Sequence, residues 1–203
     1  MRPAALRQTA VHALAMLPLA ILLAQWGTLL TGGGDPRGAG LSAEPVDYTI
    51  NTLGLWALRL LCMSLAITPL RQWTGWRWLA PWRRPLGLWC FAYASLHLSV
   101  YFVLDQLAAF DLLWREVSKR PFILFGMATW LLLLPLAVTS TAGWIRRIGA
   151  RNWQWLHRAV YLAALLAATH FVMRVKGFQI EPWLYAAIVA VLLGARLAVW
   201  RRG

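Results

Sequence analysis

Acidic side chains are scarce: seven Asp and Glu stand against twenty Lys and Arg, and charged residues of both signs make up only 13% of 203 positions. Soluble domains carry about a quarter charged residues, so an ordinary water-soluble enzyme is excluded. Cysteine is nearly absent. Cys62 and Cys90 sit in apolar stretches and in no CxxC or CxxCH pattern, which excludes a dithiol pair, a zinc knuckle and covalently attached c-type haem. Both read as small buried hydrophobes. No internal repeat is evident, and no glycine loop has the pattern that cradles a phosphate. The one low-complexity patch, Gly32–Gly34, reads as a flexible linker.

What is abundant is apolar: 60% of the residues are hydrophobic and mean hydropathy is +0.57. A bilayer core about 30 Å thick needs around 20 apolar residues in a helix, because every backbone N–H and C=O must be satisfied internally. Six stretches qualify: Ala10–Leu30, Ile50–Leu70, Leu86–Leu104, Phe122–Ala142, Trp153–Met173 and Trp183–Trp200. The expected architecture is therefore all-α, a polytopic membrane helix bundle with six transmembrane helices in one domain over 1–203. The first run follows Arg2 and Arg7 but is longer than a secretory h-region, so it reads as an uncleaved span. Pro85, Pro121 and Pro182 stand just before spans, where a missing N–H costs little. Pro18 and Pro135 lie inside spans and predict kinks.

A net charge of +13 would suggest nucleic acid in a soluble chain, but here the bases form short clusters between apolar runs. No nucleic-acid role is expected; the pattern speaks of topology and anionic lipid. Arg2, Arg7, Arg71, Arg77, Arg83, Arg84, Arg146, Arg147, Arg151, Arg201 and Arg202 share one side with no acid. All seven acids, Asp35, Glu44, Asp47, Asp105, Asp111, Glu116 and Glu181, fall in the alternate loops beside Arg37, Arg115, Lys119, Arg120, Arg174 and Lys176. By the positive-inside rule both termini are cytoplasmic. Trp73, Trp76, Trp78 and Trp82 crowd one basic connection, where indoles sit at headgroup level. The connection Asp105–Arg120 mixes Leu107, Phe110, Leu113 and Trp114 with both charge signs. It is expected to form an amphipathic surface helix, with Asp111 and Glu116 candidates for docking a partner.

Four histidines are present. His12 lies at the basic end of the first span, where interfacial solvation accounts for it. His97 in span three, and His157 and His170 in span five, lie at membrane depth, where polar residues are costly and face the bundle interior. Zinc needs about four convergent ligands, with close pairs such as i and i+4, and no such pair exists. Haem needs only two axial side chains, which facing helices can supply without close spacing. At about 1.5 Å per residue, His97 lies roughly 16 Å from the basic end of its span, His157 roughly 6 Å and His170 roughly 25 Å. His157 and His170 point about 140° apart on an ideal helix at 100° per residue, so a shared face requires a bend or bulge. The residues alone leave haem ligation and core hydrogen bonding both open.

The segment from Arg83 to Leu98, RRPLGLWCFAYASLHL, resembles the third-helix signature of MsrQ, the haem-binding membrane subunit family of the periplasmic methionine sulfoxide reductase system. Ile67–Arg71 (ITPLR), Thr139–Thr141 (TST) and Trp153–Tyr161 (WQWLHRAVY), followed by His170, agree in order. The resemblance implies a b-type cytochrome of the ferric-reductase-like membrane class in the inner membrane. It would take electrons from the respiratory quinone pool and pass them to a periplasmic molybdopterin-containing catalytic subunit, which reduces methionine sulfoxide in oxidised proteins. His97, His157 and His170 match the family's haem histidines, for one or two haems b, and FMN is implied without assignable residues. Relatives in the wider class carry two histidines 13 or 14 residues apart on the third helix; here the upstream positions are Arg84 and Arg83.

His97 with His170 is the expected axial pair, with His157 at a cytoplasmic-side haem or quinone site. A bis-histidine iron has no open position, which favours electron transfer over oxygen chemistry. Arg59, the one basic residue near mid-span, is expected to pair with a haem propionate or another polar cofactor group, or else to bond backbone carbonyls internally or snorkel. Two readings of other classes compete: a small proton-coupled transporter with relaying histidines, and a non-redox membrane anchor subunit. Both predict a colourless protein.

Overall fold

The structure is a computed structural model, describing residues 3–32, 34–105 and 119–200. Among these residues every regular element is helical. Helix α1 spans Pro3–Thr31 and α2 Pro45–Thr74; a 3-10 turn, Arg77–Trp82, leads into α3, Arg83–Val100, which runs on as a π turn over Tyr101–Asp105. Helix α4 spans Pro121–Val138, the short α5 Ala142–Ile148, α6 Ala150–His157, α7 Ala159–Arg174 and α8 Ile180–Trp200. Six segments are long and apolar enough to cross a membrane: Leu6–Thr31, Pro45–Thr74, Arg77–Leu104, Pro121–Val138, Ala150–Arg174 and Ile180–Ala198. The chain is a multi-pass membrane protein. The amphipathic segment expected over Asp105–Arg120, including Leu107, Phe110, Asp111, Leu113, Trp114 and Glu116, lies outside the described residues except at its ends.

Several span ends differ from the sequence expectation for local reasons. Helix α2 begins five residues earlier than Ile50, at Pro45, whose missing N–H is harmless in a first turn. It ends where Gly75 takes a left-handed conformation (φ 73°) and bonds its N–H to Arg71 O. The fourth span stops at Val138, short of Ala142. Pro135 leaves its carbonyl to Thr139, whose N–H (3.0 Å) and hydroxyl (2.6 Å) both donate to it. Thr141 then accepts the Trp144 N–H and starts α5. The fifth span is broken at Arg158, between α6 and α7, one residue after His157.

Helix α2 is the centre of the bundle; Leu53, Leu58, Leu60, Leu61 and Leu65 are all buried. It packs most extensively on α3, and α4 packs most extensively on α7. Small residues on α7, Ala163, Ala164 and Ala168, are buried and let neighbouring helices approach closely, which is how van der Waals packing holds helices together in lipid.

Polar ties span the helix contacts. The fully buried Tyr93 reaches α1 around Pro18: its hydroxyl donates to Ala15 O (2.8 Å) and accepts the Leu19 N–H (3.0 Å). The phenol is thereby inserted into the α1 backbone ladder beside Pro18, an interruption of the kind that bends helices. Tryptophans act as ties as well as headgroup anchors. Trp26 donates to Thr49 Oγ1 (2.8 Å), Trp130 to Ser95 Oγ (3.0 Å) and Trp89 to His12 Nδ1 (3.0 Å). His12 is thus held by an indole rather than by interfacial water alone. Trp73, Trp76 and Trp78 are exposed, with Trp78 stacked on Trp76 and edge-on to Trp82.

Candidate functional site

A cavity of about 660 Å³ opens between α2, α3, α4 and α7 at the acid-bearing end of the bundle. That is the size of a small-molecule or cofactor site. Its inner wall is apolar, with Leu55, Leu58, Leu61, Leu133 and Phe171; its mouth carries Asp47, Arg120, Arg174, Lys176 and Glu181. An apolar chamber with a charged rim suits a planar amphipathic molecule bearing anionic groups along one edge.

His97 from α3 and His170 from α7 line this chamber from opposite helix pairs. Their ring centroids are 6.3 Å apart with planes nearly perpendicular. Two metal–nitrogen bonds of about 2 Å, plus about 1 Å from each nitrogen to its ring centre, put the centroids of an axial imidazole pair roughly 6 Å apart. The observed separation matches that spacing. Each ring is fixed by a backbone carbonyl: His97 Nδ1 donates to Ile50 O (2.8 Å) and His170 Nδ1 to Phe122 O (2.6 Å). A carbonyl only accepts, so each Nδ1 carries the proton and each Nε2 keeps its lone pair. Such a backbone bond is the usual orienting partner of a metal-bound histidine. Among the described residues no group of three or more His, Cys, Asp and Glu gathers as for a bare metal ion. The chamber instead holds a pair of imidazoles.

His157 is not in the chamber. It lies at the other, basic end of the bundle, stacked on Trp153 with centroids 3.8 Å apart. Its Nε2 lies 3.1 Å from Thr139 Oγ1. The single hydroxyl proton of Thr139 goes to Pro135 O, so His157 Nε2 must donate, and its tautomer is opposite to that of the other two. Trp153 completes the cluster by donating to Thr139 O (2.8 Å). The structure thus brings together two of the three span histidines and keeps the third apart.

Arg59 does not line the chamber either. Its Nε donates to Tyr185 Oη (2.8 Å), its guanidinium lies over the Trp56 ring (4.9 Å to the centroid), and it approaches Glu181 Oε1 at 3.7 Å. It touches the site only through Glu181, which is on the rim. Among the cations of the mouth, Arg174 donates to Asn51 Oδ1, while Asn51 in turn donates to Asp47 Oδ2 (3.1 Å). Sequence reasoning placed Arg174 among ordinary loop charges and passed over Asn51. Their signal was present: Arg174 follows His170 by one helical turn, on the face that looks into the chamber.

The ferric reductase like transmembrane component model matches residues 53–168. Among similar proteins, the protein-methionine-sulfoxide reductase heme-binding subunit MsrQ of Xanthomonas euvesicatoria pv. vesicatoria is 49% identical over 96% of this chain and 86% of its own. The subunit of the same name from Xanthomonas axonopodis pv. citri is 48% identical over the same shares. That from Azospira oryzae is 44% identical over 77% of this chain and 68% of its own.

Proposed function

Since the chain belongs to the MsrQ heme-binding subunits of the ferric reductase like transmembrane family, we propose that it is a b-type cytochrome serving a methionine sulfoxide reductase system. In this reading it carries electrons from the quinone pool, across the bacterial inner membrane, to a periplasmic molybdopterin-containing catalytic subunit that repairs oxidised proteins. The observation that carries the proposal is the 6.3 Å pairing of His97 and His170 inside an apolar chamber.

Haem held there by His97 and His170 would supply a one-electron carrier. The chain's own residues do the rest. Ile50 O and Phe122 O hold the protons on Nδ1, keeping both Nε2 lone pairs available. The leucines and Phe171 exclude water, which keeps the site at low dielectric. Arg174 and Lys176 stand where a carboxylate-bearing edge would meet the mouth, with Asp47 and Asn51 orienting Arg174. Arg59 contributes one step removed, by positioning Glu181.

The positive-inside rule puts the arginine-rich end in the cytoplasm and the chamber mouth towards the periplasm, where the reductase partner is reached. His157 then belongs to a cytoplasmic-side station, a quinone or a second haem, about 20 Å along the fifth span from His170. Quinol oxidation releases two electrons and two protons, and sulfoxide reduction to thioether and water consumes the same, so the two half-reactions balance over two one-electron passages. FMN enters this proposal through the family resemblance alone.

The test is direct: purify the full chain in detergent and record reduced-minus-oxidised spectra with haem stoichiometry for wild type, His97→Ala, His157→Ala and His170→Ala. A b-type spectrum lost in His97→Ala and His170→Ala supports the proposal. A colourless wild type from haem-replete cells overturns it in favour of a transporter or anchor.

A further inference from the structure

Each chamber histidine faces a glycine on the neighbouring helix. A methyl group built on Gly54 would lie 3.0 Å from both Cε1 and Nδ1 of His97; one built on Gly126 would lie 2.9 Å from the same atoms of His170. In both cases the three nearest atoms all belong to the imidazole ring, not to backbone or to an aliphatic neighbour. These glycines are therefore not explained by close helix packing, the ordinary use of small residues in membranes.

The register repeats. Gly54 follows Ile50 by four positions, and Gly126 follows Phe122 by four, so each glycine N–H is the helical donor to the carbonyl that its histidine also uses. A carbonyl oxygen has two lone pairs. One takes the glycine N–H and the other takes the imidazole Nδ1–H, and a donor arriving at that second lone pair must pass over the residue four places on. Any side chain there blocks the approach. The same device occurs in α2 with α3 and in α4 with α7, the two most extensively packed helix pairs, with the carbonyl 47 and 48 residues before its histidine.

We propose that Gly54 and Gly126 are positioning residues whose missing side chains let His97 and His170 reach the carbonyls of Ile50 and Phe122, which fixes the tautomer that turns each Nε2 into the chamber. The inference rests on the haem reading for its purpose, but its geometry stands without it.

Two experiments separate these. The first compares the full-length holoprotein with Gly54→Ala, Gly126→Ala and Gly87→Ala, the last a helical glycine outside the chamber whose added methyl would meet nothing closer than Ser64 Oγ at 3.7 Å. The glycine variants at 54 and 126 are expected to lose severalfold of their haem per polypeptide, or to show high-spin signals in visible and electron paramagnetic resonance spectra, while Gly87→Ala keeps the low-spin spectrum. Unchanged low-spin haem in both chamber variants overturns the proposal, as does an equal loss in Gly87→Ala, which would make the effect that of any methyl added to these helices.

The second experiment needs no haem. Melting temperatures of the apoprotein are measured for Gly54→Ala, His97→Ala and the double variant. Gly54→Ala is expected to lower the melting temperature when His97 is present and to leave or raise it when His97 is alanine. Equal effects in both backgrounds overturn the proposal even if the wild type binds haem. The expected coupling in a protein that proves colourless would retain the positioning and discard only the haem reading.

Discussion

Tyr93 is wired into the backbone of a helix that its own helix merely crosses: its hydroxyl takes the N–H of Leu19 and gives its proton to the carbonyl of Ala15. In a bilayer core no water replaces either partner. Tyr93→Phe therefore removes two interhelix hydrogen bonds and leaves the Leu19 N–H and Ala15 carbonyl only each other, four residues apart in α1, and is expected to destabilise the protein by about 1 kcal/mol. Reversible unfolding in mixed micelles with rising denaturing detergent checks this, and no measurable change would refute the bridging role.

Trp130 and Ser95 tie α4 to α3 across the chamber's outer wall. Interhelix hydrogen bonds in membranes are worth about 0.6 kcal/mol on average. Trp130→Phe and Ser95→Ala should each cost an amount of that order, with the double variant costing less than their sum. Strict additivity would show that the pair is not energetically coupled.

Removing Arg174 subtracts a positive charge from the chamber mouth, and that favours the more positive, oxidised state of a redox centre within. Arg174→Ala is expected to lower the haem midpoint potential by tens of millivolts and to weaken haem retention. Arg59→Ala should do less, because Arg59 reaches the rim only through Glu181. Potentiometric titration of both variants decides the ranking, and a larger shift from Arg59 would reverse the assignment.

Thr139→Val deprives His157 of its hydrogen-bond acceptor and leaves the chamber untouched. The haem between His97 and His170 should keep its spectrum, while its reduction by a quinol analogue slows severalfold. Stopped-flow spectroscopy reads both. Loss of the chamber spectrum would mean that the basic end and the chamber are one site.

The six spans were legible because apolar runs of bilayer length have no other stable use in a chain so poor in charge. The pairing of His97 with His170 was legible only as chemistry; by depth they seemed about 9 Å apart, counting about 1.5 Å per residue from each apolar run. The count began in the wrong places. The span of His97 includes the turn from Arg77, and that of His170 starts at Ala150. Each histidine is then 20 positions from its start (77 to 97, 150 to 170), which puts the rings level. Polar and aromatic residues around Trp76–Trp82 and Trp153 had hidden those starts from a hydropathy reading. The indole ties were missed because tryptophan was credited to the lipid interface. The hydroxyls of Thr49, just before an apolar run, and Ser95, inside one, were the clue to their partners.

Both imidazoles hang on main-chain oxygens. Ile50 and Phe122 can therefore change identity without unhooking either ring, provided their helices persist. Evolutionary drift at those two positions would be silent, and comparison of sequences alone would record the hooks only as two glycines with no stated purpose.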